Sequence, residues 1–503
     1  MSAEAAWPGV VAVVLVSLAT LAIGTWGLRV SRTTSDFYVA SRSVRPGLNA
    51  SAIGGEYLSA ASFLGVAGLV LTFGADMLWY PIGWTAGYLV LLVLVAAPLR
   101  RSGAYTLPDF AEARLDSKRA RGVCSLLVVT IGWLYLVPQF EGAGLTLGAA
   151  LGAPAWVGPL VVGAVVVVNV SAGGMRSITF VQAFQYWLKL TALLVPLLVL
   201  LVVWVGDRGR LPAPATGDDA WSLPLGGTGV GDLYTTYSLV IATFLGTMGL
   251  PHVVVRFYTN PDGRAARRTT LVVLGLLGLF YVLPPLYGAL GRAYGVSDDA
   301  DTLVLDLPRL MVDGLGGDLL TALVTAGAFA AFLSTSSGLA IAVSGVLAQG
   351  ATRRRPGTGE VRAFRLAAVV AVVVPLAAAL ALPDVNVARA VGLAFAVAAS
   401  TFCPLLVLGI WWRGLTAPGA VAGLVVGGAG ALAGVAWTVA HPQARTWVDV
   451  ALGQPAAWTV PLAVVTMVAV SRATRDRIPR HARRFLVRLH TPEGLGLEAR
   501  TGR

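Results

Sequence analysis

The chain of 503 residues is 56% hydrophobic and only 12% charged, with a mean hydropathy of +0.76. Apolar runs of about twenty residues recur along nearly its whole length, which excludes a soluble multidomain protein and predicts an all-α polytopic membrane protein. Its 37 Lys+Arg against 25 Asp+Glu give a net charge of +12, a value that suggests nucleic acid in a soluble chain but here sorts by membrane side.

Segments long enough to cross roughly 30 Å of hydrocarbon number about thirteen. They are 7–28, 47–73, 77–99, 122–150, 155–171, 178–205, 235–255, 269–291, 318–349, 366–382, 389–412, 418–439 and 456–471. The first reads as a retained helix, because it lacks a basic leading region and its basic flank follows the apolar run. With the N-terminus outside, inside segments carry 30 of the 37 Lys+Arg. These run from Arg29, Arg32, Arg42 and Arg45 through Arg100–Arg121, Arg256–Arg268 and Arg353–Arg365 to the tail from Arg472. That asymmetry predicts a multi-pass protein of the cell membrane with its N-terminus outside and its C-terminus cytoplasmic. Cys124 and Cys403 lie in apolar sequence without CxxC or His spacing, so neither a disulfide framework nor a metal cluster is expected.

The second span carries a fault: Ser51–Gly68 reads SAIGGEYLSAASFLGVAG, with two glycines, an acid and a serine interrupting the helix. Backbone freed in lipid is tolerated only where it lines a cavity, and broken helices of this kind mark transport sites. An ionisable side chain inside a span is costly, so Glu56 is a functional candidate that can be protonated, offset a cation or pair with a base. Glu141 in the fourth span and Lys189 in the sixth are the other candidates for a buried charge network. For Lys189, snorkelling or a structural salt bridge competes with a substrate role. Gln139 can bond substrate, and Tyr57, Tyr80, Trp84 and Phe402 can wall a small pocket, although such rings also serve plain helix packing.

After the outer loop Gly206–Asp232, the seventh span holds a second interruption, Gly246-Thr247-Met248-Gly249, followed by Pro251. Helices two to six and seven to eleven then form two five-helix units of opposite topology, and paired interruptions in such units point to a transport site. His252 and Arg256 are expected at the cytoplasmic end, as gating residues or helix caps. In the ninth span the Ala331 carbonyl and the Ser334 and Thr335 hydroxyls share one helix face. With the carbonyls of Gly55 and Leu58 they can form a shell of hard oxygens for Na+. The alternative is that both hydroxyls bond back to carbonyls one turn earlier. The basic tail after Ser471 is expected to be partly disordered or to lie on anionic lipid. The expected division is 1–46 leading helix and loop, 47–206 first repeat, 207–234 extracellular loop, 235–413 second repeat, 414–471 two further helices and 472–503 tail.

Five motifs in order are GGEYLSAASFLG, RRSGAYTLPDF (Arg100–Phe110), GGMRSITFVQ (Gly173–Gln182), GLPHVVVRFYT (Gly249–Thr259) and AAFLSTSSG (Ala330–Gly338). Together, from about Ser35 to Trp412, they resemble the sodium:solute symporter family. The resemblance implies a LeuT-like core of two inverted five-helix repeats, and puts Gly55, Leu58, Ala331, Ser334 and Thr335 at the family's sodium-site positions. GEYLSAASFLG and GLPHVVVRF are most similar to the cation/acetate and short-chain monocarboxylate permeases. A small monocarboxylate is therefore the expected solute, with Ser59 and Ser62 opening the second half of the broken helix towards it. No Walker loop, HExxH or GxSxG motif on a plausible sheet is present, so neither an enzyme nor an organic cofactor is expected. The expected function is sodium-coupled symport of an acetate-like solute. Proton-coupled or amino-acid symport on the same fold, and a solute receptor signalling through a partner, are the alternatives.

Overall fold

A computed structural model describes residues 3–26, 39–207, 219–222, 230–295, 300–354, 359–381, 387–441 and 446–493. Arg29, Arg32, most of the outer loop and the last ten tail residues, all invoked above, lie outside the described residues. Among the described residues the chain is helical, with no strand, as expected where every backbone group must find its partner within the membrane.

In chain order the helices are α1 (Ala3–Trp26), α2 (Pro46–Tyr57), α3 (Val66–Phe73), α4 (Trp79–Val90), α5 (Ala96–Arg101), α6 (Leu107–Leu115) and α7 (Lys118–Leu151). Next come α8 (Val157–Gly206), α9 (Val230–Gly249), α10 (Pro251–Val255), α11 (Gly263–Tyr281), α12 (Leu283–Ala293), α13 (Leu303–Met311) and α14 (Gly314–Arg354). The last are α15 (Glu360–Ala381), α16 (Val387–Trp411), α17 (Ala417–Ala440), α18 (Trp447–Gly453), α19 (Ala456–Ala473) and α20 (Ala482–His490). Short polar side chains cap several helix starts: Thr106 and Asp109 form a capping box on α6, and Asp262 accepts from Ala265 N at 2.6 Å on α11.

Eleven stretches among the described residues are long and apolar enough to span, against about thirteen expected. The difference is one of continuity. Residues 61–101 join the second half of the expected span 47–73 to 77–99, and residues 157–206 join 155–171 to 178–205, with interruptions at Gly74 (φ 75°) and Gly174 (φ 57°). An unbroken helix of 50 residues would be about 75 Å long, far more than a bilayer is thick. The positive φ at Gly174, accessible to glycine at little cost, breaks it.

At the centre α2 lies against α8 and α14, which also pack on each other. Glycines set the approach: a Cβ at Gly55 would stand 2.0 Å from the Gln182 carbonyl oxygen of α8. A Cβ at Gly338 of α14 would stand 2.1 Å from the Glu56 carboxylate. α2 stops at Tyr57, Leu58 (φ −74°, ψ 88°) leaves the helix, and a π turn at Ala61–Gly65 restarts it into α3. The second expected interruption is present too, since α9 ends at Gly249, Leu250 is extended (ψ 119°) and Pro251 opens α10. α9 packs on α4 and α16.

The basic segments gather at one end of the bundle. Arg100 donates to the carbonyls of Asn260 and Pro261, and Arg101 to the Leu489 carbonyl at 3.2 Å. The tail expected to be partly disordered or to lie on anionic lipid is helical in part: residues 482–490 form α20, which packs on α5 and α6. Its apolar side docks: Leu489 is fully buried and the Phe485 ring lies 6.1 Å from that of Phe110. Glu493 then accepts from Gly263 N at 2.8 Å and pairs with Arg101 at 3.2 Å. Partial burial pulls the Glu493 carboxyl upward, but its own and Gly263's N–H groups and the Arg101 guanidinium outweigh this, leaving it below the ordinary carboxylate range.

Gly55→Ala has to part α2 from α8 and is expected to cost about 1–3 kcal/mol, lowering the melting temperature of the purified protein. Gly275→Ala, whose new Cβ meets nothing within 4 Å, should leave it unchanged or higher. For the tail, Glu493→Gln should speed hydrogen exchange of the α20 amides. Because the folded Glu493 carboxyl is depressed, its contribution is complete above the ordinary carboxylate range and fades as pH falls through the depressed value. Acidification should therefore speed the same amides in the wild type and have less effect in the variant.

Candidate functional site

The break in α2 frees carbonyls that hydrocarbon cannot satisfy. Their partner comes from α8. Lys189, fully buried, donates from Nζ to Gly55 O, to Leu58 O at 2.7 Å and to Ser334 Oγ at 2.9 Å. Three of the five expected cation ligands thus converge on one point. Ser334 Oγ in turn donates to Ala331 O at 3.0 Å, while Thr335 Oγ1 reaches across to Glu56 O at 2.7 Å. One hydroxyl bonds back along its own helix and the other ties α14 to α2.

Glu56 has a partner that lies far away in sequence. Its Oε2 accepts from Arg256 Nε at 2.5 Å, with both side chains almost wholly buried. Arg256, expected at the cytoplasmic end, follows α10 and lies against the opening turn of α2, where Asn49 Nδ2 donates to its carbonyl at 3.2 Å. The same guanidinium donates to Thr179 Oγ1 at 2.9 Å and to Gln182 Oε1, and Gln182 Nε2 donates to Ser334 O at 2.8 Å. A polar chain therefore runs through Lys189, Ser334, Gln182, Arg256, Glu56 and Thr335. Gln182 was not singled out from the sequence. The usable signal was spacing, since 182, 185, 186 and 189 recur at i, i+3, i+4 and i+7 on one face of α8.

A cluster of aromatic rings lies beside the break. Tyr57 donates to or accepts from Thr247 Oγ1 at 2.6 Å and meets Tyr88 edge-on at 4.9 Å. Trp84 stands 5.4 Å from Tyr80, 5.7 Å from Phe395 and 5.8 Å from Tyr281. Ser62 bonds the Tyr281 hydroxyl at 2.9 Å, Ser59 is buried facing Tyr135, and Gln139 Oε1 accepts from Ala60 N at 3.1 Å. His252 packs against Tyr135 at 5.4 Å. Its two ring nitrogens, Trp84 Nε1 and the Tyr88 hydroxyl are buried without a hydrogen-bond partner among the described residues. Phe402 is buried two turns along α16 from Phe395, and Glu141 is half-buried on α7. An open groove bordered by α1, α8 and α14 is lined by Trp7, Leu15, Phe184, Leu319 and other apolar side chains. It offers nothing to a polar solute, so the chemistry belongs to the buried cluster.

Among proteins of known sequence, the chain is similar to an uncharacterized symporter, YwcA, of Bacillus subtilis (strain 168). They are 35% identical over 424 residues, covering 81% of this chain and 82% of the relative. In fold it is similar to a Na+-coupled sialic acid symporter in a substrate-bound outward-open state, with a TM-score of 0.70 at 14% identity over 93% of this chain and 97% of that one. It is also similar to Mhp1, a nucleobase-cation-symport-1 family transporter, in a closed conformation, with a TM-score of 0.52 at 16% identity over 91% and 99%. The fold is thus that of the LeuT-like transporters, and the protein is a membrane transporter rather than an enzyme. Residues 37–427 match the Sodium:solute symporter family, and the chain belongs to that family.

Proposed function

We propose that the chain is a secondary active transporter of the cell membrane that couples Na+ entry to uptake of a small, acetate-like monocarboxylate by alternating access. Its N-terminus lies outside and its tail in the cytoplasm. The observation that carries this reading is the meeting of Gly55 O, Leu58 O and Ser334 Oγ at the helix break, with Ala331 and Thr335 beside them. A small hard cation asks for several oxygen ligands. This cluster gathers them around Lys189 Nζ, which a bound ion would have to displace, beside a carboxylate whose charge Arg256 already balances.

The rings beside the break support a small anionic solute. The Trp84 indole N–H and the Tyr88 hydroxyl are buried donors in need of an acceptor, and a carboxylate is a strong one. Tyr57, Tyr80 and Phe395 would enclose a short alkyl group. Na+ at the break favours the outward-facing arrangement and orders the helix for the solute; its loss to the cytoplasm releases both.

In proteoliposomes an inward Na+ gradient should drive accumulation of labelled acetate or another short monocarboxylate. Amino acids in the same panel and a separately imposed proton gradient test the alternatives, and binding without flux would indicate a receptor. Replacing Ser334 and Thr335 together with alanine should reduce Na+-driven uptake to the level of empty liposomes; unaltered uptake would overturn the cation site. Arg256→Ala strands a buried carboxylate and should destabilise the protein by about 3–5 kcal/mol. Combining Arg256→Met with Glu56→Leu should recover most of the melting temperature, so that a remaining loss of uptake reports a functional role of the pair.

A further inference from the structure

The nine residues of α20 divide into two faces. Ala482, Phe485, Leu486 and Leu489 recur at i, i+3, i+4 and i+7 and turn towards the protein: Ala482 and Leu489 are buried, Phe485 and Leu486 half-buried. Arg483, Arg484, Val487 and Arg488 occupy the other side and are exposed. Docking on α5, α6 and α16 therefore uses the apolar face and leaves the arginines to whatever surrounds the bundle.

The positive surface begins before the helix. From Arg472 to His490 the sequence holds seven arginines and one acid, Asp476. Arg472, Arg475, Arg477 and Arg480 are exposed too, and Asp476 lies 4.0 Å from Arg477. Thr474 and Thr416 share a hydroxyl hydrogen bond of 2.8 Å, which brings the short loop bearing exposed Arg413 alongside the end of α19. Glu493 does not offset this charge, because it is turned inward to Gly263 N and Arg101.

Both ends of the segment are held at the rim of the bundle. At its start the last span, α19, ends at Ala473, so Arg472 and Arg475 stand where the chain leaves hydrocarbon. At its end the His490 ring lies 4.7 Å from that of Trp411. Trp411 is 49% exposed, and its indole donates to Leu94 O at 3.0 Å, next to the exposed Val93 of the spanning stretch 61–101. A half-exposed tryptophan beside a lipid-facing valine marks the level where hydrocarbon gives way to headgroups. A helix of this length covers about 14 Å, and the field of an anionic leaflet extends over about 8 Å, so arginines held at that level feel it. Guanidinium groups pair with phosphate oxygens, and exposed Val487 among them faces the same boundary.

We propose that this arginine face binds the anionic phospholipid headgroups of the leaflet at the tail end of the bundle, and that the headgroups hold α20 on α5, α6 and α16. Lipid takes one face of the helix and protein the other, so each strengthens the other's hold. Through Glu493 the same helix reaches the opening turn of α11, so lipid composition acts on the packing of that end of the bundle. The surface is separate from the ion and solute site; the reading above supplies only the identity of the leaflet as cytoplasmic.

The test is hydrogen exchange of the α20 amides in the full chain, in phosphatidylcholine nanodiscs with and without phosphatidylglycerol. Phosphatidylglycerol should slow exchange by about fivefold for each arginine that meets a headgroup, and high salt should remove the difference. Arg483→Gln combined with Arg484→Gln should exchange like wild type in phosphatidylcholine alone and lose most of the slowing. Lys118→Gln combined with Arg362→Gln, an equal loss of charge at exposed positions away from α20, should keep it. Leu489→Asn, which damages the protein-facing side, should speed exchange in both lipids. Equal wild-type exchange in the two lipids, or an unchanged difference in the Arg483/Arg484 variant, overturns the proposal. Slowing by inorganic phosphate or by RNA in phosphatidylcholine alone, without a difference between the lipids, overturns the membrane assignment. None of these readouts involves Na+ or solute, so failure here leaves the transport reading standing, and failure of Na+-driven uptake leaves the lipid surface standing.

Discussion

An interrupted helix inside hydrocarbon must settle the account of its own backbone, and the rest of this structure follows from how the break after Tyr57 does so. The freed carbonyls of Gly55 and Leu58 turn towards α8 rather than lipid, and meet the buried Lys189 side chain there. To bring them within reach, α2 has to approach α8 at backbone distance, which Gly54 and Gly55 permit and any side chain would prevent. A conformational demand at one residue thereby sets helix packing across the core.

Charge is handled by the same economy. Two basic side chains and one carboxylate from distant parts of the chain are buried in one network, and each has partners: Glu56 in Arg256, Arg256 also in Thr179 and Gln182, Lys189 in two carbonyls and a hydroxyl. Buried ions are tolerated when hydrogen bonds take up their remaining capacity. The result joins α2, α8 and α14 in one network.

What could be read from the sequence was local. The fault at Gly54–Ser59, the common face of Ala331, Ser334 and Thr335, and the second interruption near Gly249 are matters of residue type and helical spacing, and each has a counterpart in the structure. The family, legible in five short motifs, is that of the matched residues 37–427. Contacts between distant segments were not legible. Glu56 and Arg256 are 200 positions apart, and no periodicity links them. Lys189 could be recognised as a buried charge but not as the group standing among the α14 and α2 oxygens, because its destination depends on where a different helix breaks. The docking of α20 escaped for another reason: composition reports a basic tail, whereas its attachment depends on two apolar residues and on a cap for α11.

Gln182 has both ends of its amide committed, its nitrogen to the Ser334 carbonyl and its oxygen to the Arg256 guanidinium. Such a group is a connector with a polarity, and it cannot be reversed or replaced by its isostere without cost. Glutamate in the same volume would present two acceptors, pleasing the guanidinium and opposing the carbonyl. A change from amide to acid at this position would therefore strip the Ser334 carbonyl of its donor while drawing the Arg256 guanidinium closer, so that one atom's difference pulls the two partners apart.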